Sequence, residues 1–251
     1  MRGVFVEELT WPEAEARFRA GALVVVPIGA FAKEHGPHLP LNTDALVARE
    51  LARRVAEALP VVVAPVVGFG YYPAFVSYPG SQHLRVETFV ALLTDVFEGL
   101  VRQGVTRLAV INTGVSTEGP LRVAVRDFYA ACGIRVATAD IRGLGAATRP
   151  LLSQRLGGHA DEEEASLVLA IVPQAVRLDR ARPDYGHALA SPATVFYQPT
   201  VFDGDPASGP DYSATGARGD PTLATAEKGQ AILAEMAREL IAGLTTLHPD
   251  L

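Results

Sequence analysis

Apolar residues follow two different periods along this chain of 251 residues. Short continuous runs rich in valine fall at 23–27, 61–67, 108–111 and 134–139. Their length and β-branching predict strands buried on both faces. Between them, apolar residues recur three and four apart, the spacing of a helix that turns one face to a core. Leu46, Val47, Leu51, Val55 and Leu59 mark a helix over 43–59, and Phe89, Leu92, Leu93, Val96, Phe97 and Leu100 another over 86–104. Further helices are predicted over 117–132 and 225–247, the last carrying Ile232, Leu233, Met236, Leu240, Ile241 and Leu244. Thr10-Trp11-Pro12-Glu13 has the form of a capping box with proline in the first turn, predicting a short helix to about Arg19. Residues 142–155 read as a helix interrupted at Pro150, and 167–171 as one more helical run. Strands alternating with helices predict an α/β fold, a three-layer α/β/α sandwich around a mainly parallel sheet, with 1–251 as a single domain.

Composition narrows the class. Apolar residues make up 49% of the chain and charged residues 20%, ordinary for a globular protein. The net charge of −6 argues against a nucleic-acid partner, which favours a basic footprint. Cys132 is the single cysteine, which excludes an intrachain disulfide framework and cysteine-based zinc sites. No run is long and apolar enough to span a bilayer, and no signal-type segment opens the chain. The expectation is a cytoplasmic protein with no membrane partner; a small-molecule substrate is expected only from the loop chemistry and the resemblance described next.

Chemistry concentrates where the first valine run ends. Residues 24–44 read VVVPIGAFAKEHGPHLPLNTD, so Glu34, His35, His38 and Asp44 crowd into a loop between a strand and a helix start. Ligands in open α/β sheets collect at the carboxyl ends of strands. Imidazole and carboxylate together are the usual donors for Zn, Mn or Fe. The loop is therefore a candidate half of a metal-hydrolase site.

The motif Pro27-Ile28-Gly29, followed by His35-Gly36-Pro37-His38-Leu39-Pro40-Leu41-Asn42-Thr43-Asp44, resembles the signature of the creatininase (creatinine amidohydrolase) family. Glu8-Leu9-Thr10-Trp11 and the stretch from Gly216 to Gly229 extend the resemblance over nearly the whole chain. The resemblance implies an α/β/α sandwich, a metal-dependent amide hydrolase and a homo-oligomer, often a hexamer. It also implies His35 as a ligand of one divalent ion and Asp44 as a carboxylate bridging two.

The chain departs from the family pattern at several ligand positions. The family glutamate lies two residues before the histidine, where this chain has Lys33, with Glu34 adjacent to His35. Either the loop bulges so that Glu34 still reaches the ion, or that ligand is displaced. A family Glu-His pair is replaced by Ala74 and Phe75, with His83 a few residues on. After Asn112, Gly114 and Ser116 occupy the places of a ligand histidine and a glutamate; Glu118 is the nearest side chain able to bind a metal. Its plainer role is a carboxylate complementing a helix N-terminus. Finally, His159-Ala160-Asp161-Glu162-Glu163-Glu164-Ala165-Ser166 resembles a family stretch whose histidine is implicated in proton transfer and whose glutamates line the site. Glu162 and Glu164, two apart, cannot share a helix face, so a site using both would have the chain enter its helix between them.

The candidate metal ligands are thus Glu34, His35, Asp44 and Glu118, and the candidate catalytic residues His159 and Glu164. The cofactor expected is one or two divalent ions, Zn or alternatively Mn or Fe. A bound ion would activate water for attack on an amide, lactam or formamide carbon, with His159 passing the proton to the leaving nitrogen. The competing expectation is an inactive relative that binds a metabolite or builds an assembly. Residues 185–220, long and rich in Pro, Gly, Asp and Ser, are expected to form a lid, an oligomer contact or a partly mobile loop.

Overall fold

The computed structural model of the chain describes residues 2–186 and 199–251. Among them, five strands form one parallel sheet: β1 (Val4–Phe5), β2 (Val24–Ile28), β3 (Val62–Val63), β4 (Leu108–Asn112) and β5 (Val136–Asp140), in the order β1-β3-β2-β4-β5. Six α-helices flank it: α1 (Trp11–Arg19), α2 (Thr43–Ala58), α3 (Val86–Arg102), α4 (Glu118–Cys132), α5 (Glu162–Ile171) and α6 (Ala226–Leu247). The periodicities reappear as packing. On one face Leu23, Val25, Ala109 and Ile111 meet Val47, Leu51 and Val55 of α2 and Ile232, Leu233 and Met236 of α6. On the other, Val24, Val26 and Val110 meet Phe89, Leu93 and Phe97 of α3 and Leu121, Ala124 and Phe128 of α4. Successive strand residues point to opposite faces, so each valine run feeds both cores, and the architecture is the α/β/α sandwich.

The structure corrects three local readings. The apolar run at 61–67 contributes only Val62–Val63 and an isolated bridge from Val67 to Ile28; Pro65 has no N–H to give a ladder. Residues 142–155 form no α-helix but two 3₁₀ segments, Ile141–Gly143 and Ala146–Leu151. Pro150, which blocks an α-helical bond, lies inside the second. The chain enters α5 ahead of Glu162, with Asp161 as the cap, rather than between Glu162 and Glu164. The edge strand β1, two residues long, gave no alternating pattern in the sequence. Of the long segment at 185–220, residues 187–198 lie outside the described residues; Pro206–Asp211 is a 3₁₀ segment.

The strand order sets the place of the site. From β2 the chain moves outward to β3, while β4 and β5 lie on the other side, so the order reverses between β2 and β4. Crevices at such reversals, beyond the carboxyl ends of the strands, receive ligands. Here Ile28 pairs with Asn112 at the last register, and the two loops that follow are those carrying the candidate residues.

Candidate active site

Thr113, just past β4, donates its hydroxyl to the carbonyls of Ile28 (3.0 Å) and Asp44 (2.9 Å), tying the end of β2 to the first turn of α2. Gly29 makes this approach possible: a Cβ there would lie 2.4 Å from the Asp44 carbonyl oxygen. Asp44 is thereby held at the foot of the loop 29–42. Its Oδ1 lies 2.9 Å from His35 Nε2, and its Oδ2 lies 2.7 Å from the ammonium of Lys33. All three side chains are buried. Burial alone would push the Asp44 carboxyl up, but the Lys33 and His35 groups beside it outweigh that and hold it well below the usual carboxylate range. His35 Nδ1 lies 2.9 Å from the Lys33 carbonyl oxygen, so each ring nitrogen has an acceptor within hydrogen-bond distance.

A second imidazole–carboxylate pair stands beside the first. His159 Nε2 lies 2.9 Å from the Glu34 carbonyl oxygen and 3.1 Å from Glu34 Oε2. Because both partners are acceptors, Nε2 carries the proton and Nδ1 is the basic nitrogen, 3.7 Å from Glu164 Oε2. The other Glu34 oxygen accepts the Gly36 N–H. Desolvation raises the Glu34 carboxyl, yet hydrogen bonding and charge from His159 bring it below its ordinary value. Glu164 is moved the other way, upward, because burial prevails over the pull of His159 and Lys33. The His159 backbone is fixed by reciprocal bonds with Arg218 (3.3 and 2.7 Å), and the next residue, Ala160, takes a left-handed φ of 48°. That conformation is uncommon for a residue with a Cβ; the Glu164 carboxylate anchors it by accepting the Ala160 N–H at 2.5 Å.

Aromatic rings cover His159. Phe75 lies 4.3 Å from its ring centroid, Phe202 5.3 Å, and the two phenyl rings stack at 5.1 Å. Phe75, at a place where the resemblance has a polar pair, therefore packs on the imidazole. A cavity of about 630 Å³ opens over this wall, lined among others by Lys33, Phe75, His159, Glu164, Phe202 and Arg218. No helix among the described residues is long and apolar enough to cross a membrane.

The expected site residues do not all converge. His35, His159 and Glu164 bring donor atoms within 4.8 Å of one another, the one such group of three among the described residues. Asp44 reaches this group through His35, and Glu34 through His159. Glu118 lines the same cavity but is paired with Arg142 at 3.9 Å, its carboxyl raised by burial and by Asp140. Glu162 faces away, accepting the Ser153 and Gln154 N–H groups and pairing with Lys228. His83 Nδ1 accepts the Tyr72 N–H at 3.0 Å and so braces the loop. His38 is buried, with no hydrogen-bond partner on either ring nitrogen; burial, then His35, lowers its pKa to about 4. The connection 68–84, too long for a simple turn and so expected from the sequence as an active-site wall, does line the cavity through Tyr71, Pro73, Ala74 and Phe75. The sequence reading missed Phe202 and Arg218, which come from loops with no periodic signal. It treated Lys33 only as a lost ligand, although a lysine amid buried acids calls for a partner.

A profile of the creatininase family, described as creatinine amidohydrolase, matches residues 7–244. The chain belongs to the creatininase family. Creatinine amidohydrolase of Pseudomonas putida is 30% identical over 260 residues, covering 92% of both chains. The mycofactocin precursor peptide peptidase of Mycobacterium tuberculosis is 30% identical over 239 residues, covering 90% of this chain and 86% of its own. A crystal structure of creatinine amidohydrolase superposes with a TM-score of 0.83 at 28% identity, with all of both chains covered. Creatininase has also been solved in a Mn form and, as a variant, in a Zn-Zn form; each has a TM-score of 0.80 and 28% identity and covers 98% of this chain and 99% of its own.

The two-ion centre implied for creatininases does not fit the residues of this chain. Asp44, the carboxylate expected to bridge, has His35 on one oxygen and the Lys33 ammonium on the other. Glu34 is turned to His159 and Gly36, and Glu118 to Arg142. A side chain at Gly114 would begin 2.7 Å from Thr117 Oγ1 and 3.2 Å from the Tyr72 ring. The group that keeps metal-binding chemistry is His35, His159 and Glu164.

Proposed function

We propose that this creatininase-family chain hydrolyses an amide-type C–N bond of a small molecule in the cavity over His159. The observation that carries the reading is the line Glu34–His159–Glu164, with the basic nitrogen of His159 turned from Glu34 towards Glu164, and both His159 and Glu164 in the cavity wall. Glu34 holds the imidazole in one tautomer, and Nδ1 takes a proton from water as it attacks the carbonyl carbon. The same nitrogen then gives the proton to the leaving nitrogen. Phe75 and Phe202 shield the imidazole on one side and offer a flat apolar wall to a planar amide or lactam. Creatinine amidohydrolase and the precursor peptide peptidase are both named for breaking C–N bonds, which supports this class of reaction.

A second reading has its own support in the cluster of His35, His159 and Glu164. One divalent ion, Zn or alternatively Mn or Fe, held by these three would lower the pKa of water and polarise the carbonyl. His159 would then be a ligand oriented by Glu34 rather than the proton carrier. The test is a screen of small amides, lactams and formamides with the purified chain, run with and without a chelator. Turnover that survives chelation and disappears in His159→Asn supports the first reading. Turnover that chelation abolishes and Zn or Mn restores supports the second. No turnover in either condition leaves the binding or assembly role expected as the alternative.

A further inference from the structure

Asp44 already has beside it the positive charge that an ion would bring. The Lys33 side chain is only 6% exposed, its ammonium lies 2.7 Å from Asp44 Oδ2, and the carboxylate itself is 3% exposed. A buried carboxylate without a cation is strongly destabilising, so the pair is a structural requirement of the loop. The ammonium also lies 5.0 Å from the Phe75 ring centroid and 5.5 Å from that of Tyr72, within the range of cation–π attraction. Lysine here stands where the family signature has a glutamate. In charge, a glutamate together with a divalent ion equals one ammonium. For one of the two ions that the resemblance implies at Asp44, the exchange therefore keeps the charge.

The space is accounted for as well as the charge. Gly114 and Ser116 occupy the other two lost ligand places. The room beside Gly114 is taken by Thr117 and by the ring of Tyr72, which is fully buried. Thr117 Oγ1 donates to Asn112 Oδ1 at 2.7 Å, and Asn112 in turn donates to Asp140 at 2.9 Å, closing the turn without an ion. The departures at 33 and 114 thus belong together: an ammonium and a phenol ring fill what a metal and its imidazole would need.

We propose that Lys33 is a tethered cation that takes the place of a metal ion at Asp44, a buried positive charge in the lining of the cavity where the substrate would sit. The proposal holds whichever bond the cavity breaks. Its test is zinc uptake by the full-length, chelator-stripped chain after dialysis against excess zinc chloride, measured as zinc per chain by elemental analysis. The wild type is compared with Lys33→Glu, with circular dichroism as the check on folding. Lys33→Glu is expected to bind one zinc per chain more than the wild type and to melt at higher temperature when zinc is present. Equal uptake by the two folded proteins, or two zinc ions per wild-type chain, overturns the proposal. Should Lys33→Glu fail to fold, Lys33→Gln removes the ammonium and keeps an oxygen donor, and unchanged uptake there is equally fatal. The wild-type number separates this proposal from the reading of function. One zinc in the wild type and two in the variant favour the ion at His35, His159 and Glu164; none and one favour metal-free proton transfer on His159.

Discussion

His159 Nε2 lies 3.1 Å from Glu34 Oε2, although 125 positions separate the two residues. A carboxylate seated on one ring nitrogen fixes the tautomer and leaves the other nitrogen to meet substrate. In the proton-transfer reading, His159→Asn should lower kcat about a hundred- to ten-thousand-fold, the usual contribution of a positioned acid–base group. Steady-state kinetics on whichever substrate emerges from the screen measure it. A fall in kcat/KM carried entirely by KM would show that the imidazole binds substrate and moves no proton.

Lys33→Met removes the ammonium while keeping most of the side-chain volume. Asp44 would then be a buried carboxylate with only His35 beside it. Breaking a buried pair from one side typically costs about 3–5 kcal/mol. Urea unfolding should show a loss of that size, and the double variant Lys33→Met, Asp44→Asn should recover part of it. A stability equal to wild type in the single variant would mean that the pair is not formed in solution.

Acid should weaken the fold in two windows. His38 is held neutral by burial and His35, with its pKa lowered from 6.5 to about 4. The unfolded chain takes up that proton first, so the stability linked to His38 falls as pH drops from about 6.5 to about 4 and then levels. Glu34 and Asp44 have lowered values, so the stability they confer is present above the ordinary carboxylate range and is lost on further acidification. Glu163, raised by burial to about 7, and Glu164, also raised, act in the opposite sense in the upper window, so the His38 contribution is read as a difference: on acidification from pH 6.5 the urea midpoint of His38→Gln should fall less than that of the wild type. An unchanged upper slope in that variant would assign it to another group.

Helix α5 carries Glu164 and is held at its N-terminus by Asp161. Asp161 Oδ1 caps it by accepting the N–H groups of Glu163 (2.9 Å) and Glu164 (3.1 Å). Its Oδ2 accepts the Gly158 N–H at 3.0 Å. Asp161→Ala should cost about 1–2 kcal/mol, the upper range for a lost cap, and should loosen the His159 segment. Thermal melting, with an activity assay beside it, reads both effects.

Gly229, in the first turns of α6, lets that helix close on α5: a Cβ would fall 1.9 Å from the Ser166 carbonyl oxygen. Gly229→Ala must push the helices apart, at about 1–3 kcal/mol, as for other overpacked cores. A lowered melting temperature is the expected result. An unchanged one would mean that the helices do not approach so closely.

The sequence by itself determined the layers of this protein and the loop in which buried donors gather. Continuous β-branched runs and a spacing of three to four residues are local properties, so strands such as Val24–Ile28 and helices such as Ala226–Leu247 were legible to within a residue or two. The run of Glu34, His35, His38 and Asp44 pointed to a loop of buried, partnered side chains because donors so dense beside an apolar strand need partners. Which partners they take was decided only by the tertiary structure. Asp44 meets a lysine from its own loop, Glu34 meets His159 from 125 positions further along the chain, and Phe202 arrives from a segment without pattern. Partner choice depends on directions and distances between loops, and those are set by how β2 and β4 end side by side, a relation that no window of neighbouring residues contains.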